Sequence, residues 1–191
     1  RTIGFSSDGR WLVSVSLSGM VTRWGMTSEE ELHTFRFSER GIARQDPVTL
    51  SPDGHWLAVG SGAGKAAKVA VWDVATGREL YTFKSSGEVG TLGLGPGARW
   101  LASSGERGDA SIRLLEVSTG QARRTVESVI APGVLALSRD GRWLATASED
   151  DPVLGPRQDH TVRLWEATTG QQLDTLRGHR GPVSAIAFGP D

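Results

Sequence analysis

Four segments of this chain are near copies of one another, and their spacing restricts the fold more than any other feature. SSDGRWLVSVS begins at Ser6, SPDGHWLAVGS at Ser51, GPGARWLASSG at Gly95 and SRDGRWLATAS at Ser138. Their tryptophans, Trp11, Trp56, Trp100 and Trp143, recur at intervals of 45, 44 and 43 residues. A second register follows each segment in MVTRWGM, KVAVWDV, SIRLLEV and TVRLWEA, with Trp24, Trp72, Leu115 and Trp165 in equivalent places. All seven tryptophans fall in one of these registers. Self-similarity at this period marks a repeat architecture in which each unit is one supersecondary element that buries its faces on its neighbours.

Each unit reads as four strands. An apolar alternating run such as Leu135 and Leu137 precedes an Asp-Gly turn, a strong hairpin signal. The next strand is Trp-Leu followed by small residues, as in Ala58 and Gly60 or Ala145 and Ala147. A loop leads to a Val/Ile-Arg-Leu strand, and a Thr-Gly turn to a polar outer strand such as ELYTFKS or QQLDTLRG. Small residues on a strand packed on both faces let neighbouring sheets approach closely, and a polar last strand suits a solvent-facing edge. The prediction is an all-β stack of radial four-stranded sheets without a credible helix. Both tryptophan registers are expected to be largely buried, because each obeys the period of the fold.

At these residues the chain resembles the WD40 family. The Asp-Gly turn, the pairs Trp72-Asp73 and Trp165-Glu166, Gly178-His179 and above all TVRLWEATTGQQLDTLRGHRGPVSAIAF match that family's signature. The resemblance covers the whole chain, in blades at about 1–37, 46–84, 89–127 and 133–177, with a fifth opening at 183–191 on an unaccompanied strand, Val183 to Phe188. It implies a WD40-type β-propeller, and an incomplete one, since the family usually closes seven blades; the arc should stay open, with self-association or missing blades completing it. The regular units are similar to those of bacterial multidomain proteins. The resemblance also implies a structural hydrogen-bond relay through Asp159, Ser148 and Trp165 in the fourth unit, Asp109 in the third, and His179 of the Gly-His pair. Leu115 replaces the third unit's tryptophan, and Ser18 and Ala66 stand at the aspartate position of the first two units, so no relay is complete.

Chemistry is sparse. Gly60-Ser61-Gly62-Ala63-Gly64-Lys65 lacks the first glycine and the Ser/Thr of a phosphate-binding P-loop and reads as a connecting loop. His33, His55, His160 and His179 have no metal-pair spacing, and the acidic stretch around Glu149, Asp150 and Asp151 lacks the regular Ca²⁺-loop pattern. No cofactor or metal is expected. The innermost strands, led by Ile3-Gly4-Phe5, offer a channel no carboxylate, histidine or cysteine. The net charge is −1, which gives no footprint for nucleic acid or an anionic membrane surface. With no cysteine, disulfides and thiolate metal sites are excluded, a composition compatible with the cytoplasm. The chain starts at Arg1 rather than methionine and reads as a fragment.

A core obeys the repeat; a binding site breaks it. The departures are 38–47, 60–68, 106–109 and 149–160, and they carry the candidate partner-binding residues Arg40, Arg44, Lys65, Arg107, Asp150, Asp151, Arg157 and His160. Their mixed charge suits proteins or peptides as partners rather than nucleic acid or membrane. The expectation is a non-catalytic protein-interaction scaffold. The alternatives are the sensor or regulatory region of a larger signalling protein, with a kinase or NTPase domain elsewhere, and less favoured a propeller enzyme.

Overall fold

The computed structural model describes residues 2–6, 8–27, 31–38, 43, 46–61, 66–85, 87–105, 111–119, 121–128, 132–148 and 160–189. Among the described residues sixteen strands form four antiparallel sheets, each a simple up-and-down meander. The first contains β1 (Thr2–Phe5), β2 (Trp11–Val15), β3 (Met20–Gly25) and β4 (Glu31–Arg36). The second contains β5 (Val48–Leu50), β6 (Trp56–Ser61), β7 (Lys68–Asp73) and β8 (Arg78–Lys84). The third contains β9 (Leu92–Leu94), β10 (Trp100–Ser104), β11 (Ser111–Glu116) and β12 (Gln121–Glu127). The fourth contains β13 (Pro132–Leu137), β14 (Trp143–Ser148), β15 (Val162–Glu166) and β16 (Gln172–Leu176). A 3-10 turn at Pro96–Ala98 links β9 to β10. The strand reading from sequence thus holds in all four units. Val183 to Phe188 is the exception: it forms no strand, because it joins the ladder of none of the four sheets.

The alternation of side chains gives every sheet a leading face, toward the preceding sheet, and a trailing face, toward the next. Val13, Val15 and Val21 of the first sheet trail onto the leading residues Leu50, Leu57, Val59 and Trp72 of the second. Ala58, Val69 and Val71 meet Leu92, Leu94 and Leu101 of the third. Ala102, Ile112, Leu114 and Val126 meet Leu135, Leu137, Leu144 and Trp165 of the fourth. These three clusters are the core, and small residues set its closeness: a Cβ on Gly4 would stand 2.9 Å from Leu50 Cδ1.

No core cluster of described residues joins the fourth sheet to the first, so the stack is an open arc. Its opening end shows this directly. Ile3 and Phe5 are 66% and 59% exposed, although their counterparts Leu92 and Leu94, or Leu135 and Leu137, are buried. Trp24 is 38% exposed, whereas Trp165 is 4% exposed against the sheet before it. Trp72 sits between these extremes, packed on Phe35 and Phe37 of the first sheet with ring centroids 6.2 Å apart. The expectation that both registers are largely buried therefore needs correction. Trp24 lacks a neighbour to cover it; Trp11, Trp56 and Trp100 are half-buried because each lies at the rim of its interface, and Trp143 is half-buried outside the three clusters, with the Arg142 guanidinium over its ring.

A register shift recurs where the third strand of every sheet pairs with the fourth, at Arg23/Trp24, Val71/Trp72, Leu114/Leu115 and Leu164/Trp165. The extra residue lies on the outer strand, as Leu80 and Leu173 do, which is why these leucines are exposed.

Candidate interaction surface

Up-and-down sheets sort their connections onto two faces. Turns between first and second strands, and between third and fourth, fall on one; second-to-third-strand loops and the links between sheets fall on the other. All four departures from the repeat belong to the second face, because 38–47 joins β4 to β5 while 62–67, 105–110 and 149–161 join second strands to third.

The turn face is repeated and internally satisfied. In three sheets a serine hydroxyl donates to the turn aspartate: Ser6 to Asp8 at 2.6 Å, Ser51 to Asp53, and Ser138 to Asp140 at 2.5 Å. The same hydroxyls accept the backbone N–H of Trp11, Trp56 and Trp143 at 2.9–3.1 Å. Asp8 and Asp140 are held below the ordinary aspartate range, first by the serine hydroxyl and then by the N–H of Arg10 or Arg142. At Asp53 partial burial pulls the other way, yet the Ser51 hydroxyl and the N–H groups of Gly97 and His55 outweigh it and lower the carboxyl. The Gly97 N–H reaches Asp53 Oδ2 at 2.9 Å and ties the turn of the third sheet to that of the second. The third sheet has Gly95 and Gly97 where the others have serine and aspartate, so this link stands in for its missing local cage.

On the loop face, most of the candidate residues, namely Arg40, Arg44, Lys65, Arg107, Asp150, Asp151 and Arg157, lie outside the described residues. What is described is the footing of their loops. The 38–47 segment closes through Ala43 and Asp46: the Ala43 N–H donates to Asp46 Oδ2 at 2.9 Å, and the Asp46 N–H to the Ala43 carbonyl at 3.1 Å. His160, half-buried, ends the longest insertion at φ +44°, a conformation uncommon for a residue with a side chain. Ser16 and Ser18 share a 2.7 Å hydrogen bond in the first sheet's loop and leave Leu17 exposed. Leu17 was missed from sequence; an apolar residue inside a Ser/Gly turn is the signal that could have found it.

The implied relay fares differently. Asp109 and Asp159 lie outside the described residues, as does the Ser148 side chain, and His179 is exposed. The Trp165 Nε1–H donates to Thr146 Oγ1 at 2.9 Å, Thr146 lying on the leading face of β14 two residues beyond Leu144, which pairs Trp165. Trp24 repeats the arrangement on Ser14 Oγ at 2.9 Å. In the second sheet the equivalent residue is Val59, and Trp72 Nε1 is buried with no hydrogen-bond partner. The local pair is therefore tryptophan to a hydroxyl two residues beyond the Leu opposite it, a pattern visible when the four second strands are aligned.

The innermost strands and Ile186 to Gly189 bound an open axial cavity of about 520 Å³. Its lining is apolar apart from a few hydroxyls and Arg139. No cluster of three or more metal-ligating side chains exists among the described residues, and no described helix is long and apolar enough to cross a membrane.

Comparison with known proteins agrees with this architecture. Residues 131–166 and 170–191 match the family model described as WD domain, G-beta repeat. The small ribosomal subunit protein RACK1 of Candida albicans is 39% identical over 57 residues, which cover 30% of this chain and 17% of that protein. Its Caenorhabditis elegans counterpart is 29% identical over 105 residues, covering 54% of this chain and 30% of that protein. RACK1z of Arabidopsis thaliana is 36% identical over 61 residues, 32% of this chain and 18% of that protein. The chain thus spans less than a third of the length of these relatives.

Proposed function

We propose that this chain, which carries WD40 repeats, is a non-catalytic scaffold that binds other proteins or peptides through its loop face. One observation carries the reading: the four loop segments that break the repeat all emerge on one face, while three of the four turns between first and second strands on the opposite face satisfy their own polar groups in the same way. Loops on a rigid scaffold are where binding residues concentrate. The four repeats, taken as 1–37, 46–84, 89–127 and 133–177, supply the rigid part. The axial lining supports the non-catalytic reading, since the side chains there include no carboxylate, histidine or cysteine to act as acid, base or nucleophile. The partners are proteins rather than nucleic acid or membrane, given the mixed charge of the candidate loops, and the cytoplasm is the proposed compartment.

Site-specific photo-crosslinking tests this. A photoreactive residue placed at Arg40, Arg107 or Arg157 should yield adducts with other proteins, and one placed in the turn face at Thr76 or Thr169 should not. Equal labelling from both faces, or adducts with nucleic acid alone, overturns the reading.

A further inference from the structure

We infer that the interface between the first and second sheets binds a small phosphate, inorganic or a phosphomonoester, near its turn-face end on Arg23 and His33. The position before the third-strand tryptophan lies on the trailing face, packed toward the next sheet. The second and third sheets fill it with Val71 and Leu114, 0% and 2% exposed, and the fourth holds Leu164 there. The first sheet places Arg23 at this position, two residues beyond the buried Val21 and on the same face. Its partner across the ladder is His33 of β4, which shares a face with Phe35. The Phe35 ring stacks on Trp72 of the second sheet and lies 5.8 Å from the His33 ring, so the pair stands inside the interface.

Both side chains are half-buried, and Arg23 Nε and His33 Nε2 are buried without a hydrogen-bond partner. Among the described residues no carboxylate pairs with the Arg23 guanidinium. An unpaired cation drawn out of water lowers stability. Packing does not require one here, because the sister sheets fill the same place with aliphatic side chains. Covering the adjacent indole does not require it either. The Arg23 guanidinium carbon stands 5.4 Å from the Trp11 ring centroid. Trp100 and Trp143 are covered instead by Arg99 and Arg142, the exposed residues just before them, and the first sheet's counterpart, Arg10, pairs with Asp8 at 3.7 Å. Arg23 thus breaks the repeat inside an interface that otherwise obeys it.

The donor set suits phosphate. A planar guanidinium engages two oxygens of an oxyanion, and a neighbouring imidazole N–H has use for a third, which phosphate has and a carboxylate lacks. A further imidazole, His55 of the second sheet, meets the Trp11 ring edge-on at 5.2 Å. The turns beside this place already satisfy their own serine and aspartate groups and leave little to hold an extended peptide, which favours a small molecule over a phosphorylated chain.

Calorimetric titration of the chain with inorganic phosphate, at constant ionic strength in chloride, is the test; it is independent of protein binding on the loop face. Saturable binding of one phosphate per chain is expected, with acetate binding far more weakly. Arg23→Val installs the residue that the second sheet has at this position and should weaken binding about tenfold or more. Arg23→Lys keeps the charge but not the planar fork and should also weaken it, which covers the case in which the valine variant fails to fold. His33→Phe should weaken binding, and Arg142→Ala, removing a guanidinium from another tryptophan, should leave it unchanged. An unchanged strand signal and thermal midpoint in circular dichroism establish that each variant folds. No saturable phosphate binding below about 10 mM overturns the inference. So does affinity that survives both Arg23 substitutions, an equal loss in Arg142→Ala, or acetate binding as tightly as phosphate.

Discussion

Trp72 Nε1 is a buried donor without an acceptor, and Val59→Thr would supply one. Trp24 and Trp165 show the geometry: each donates at 2.9 Å to a hydroxyl on the equivalent residue of the neighbouring strand. Threonine has the shape of valine, so the exchange trades one buried methyl for a hydroxyl. Burying that hydroxyl alone costs about 1–3 kcal/mol. Here it meets a donor that already bears a similar desolvation penalty, and a hydrogen bond contributes about 0.5–1.5 kcal/mol net beyond relieving it. The expected result is a gain of about 0.5–1.5 kcal/mol. Val13→Thr, at a fully buried position on the other face of its sheet, is the control and should lose about 1–3 kcal/mol. The reverse change, Thr146→Val, orphans Trp165 Nε1 and should also cost about 1–3 kcal/mol. Urea unfolding followed by tryptophan fluorescence, with unchanged slopes, gives all three values. If Val59→Thr destabilises as much as Val13→Thr, the orphaned donor is not a defect of the fold and the argument fails.

Other outcomes follow from the same packing. Trp165→Ala should cost about 3–5 kcal/mol in urea unfolding, and Trp24→Ala, already exposed on one side, less than half as much. Gly77→Ala should lower the thermal midpoint more than Gly9→Ala: both glycines have positive φ, but only at Gly77 would the new Cβ meet a neighbour, Phe35 Cγ at 2.8 Å. The depressed Asp53 carboxyl contributes stability that is present above the ordinary aspartate value and lost as pH falls through its lower folded value. Asp53→Asn should therefore flatten the loss of stability below about pH 4 in an acid titration followed by circular dichroism. Replacing Pro152–Gln158 with a short glycine turn should leave the urea midpoint nearly unchanged, since shortening a loop between paired strands costs little, and a loss above about 3 kcal/mol would show the insertion to be packed structure.

The strands, their turns and their faces were legible in sequence because each depends on local chemistry: Asp-Gly at a hairpin, small residues after Trp-Leu, apolar alternation on the inner strand. Burial was not, because it depends on which sheet lies alongside. Trp24 and Trp165 occupy the same register, yet only Trp165 has an outer strand to pack on. The hydroxyl that Trp165 reaches, on Thr146, was not singled out from sequence for a similar reason: it lies two residues beyond Leu144, and only the pairing of β14 with β15 shows that Leu144 stands opposite the tryptophan. Of the candidate surface, sequence located the loops and their common face through topology alone; Leu17 escaped notice because its exposure is set by the serine pair that bends the chain around it.

The extra residue on each outer strand bears on how the protein keeps to itself in a crowded solution. β4, β8, β12 and β16 each end their sheet, and their far edges carry backbone donors and acceptors that another chain could use to extend the ladder. An extended strand approaching such an edge needs evenly spaced partners along several residues. The bulge breaks that spacing partway along every outer strand, so an intruding strand finds register on one side of it or the other but not across both. The rim of the stack is thereby a poor template for fibril growth.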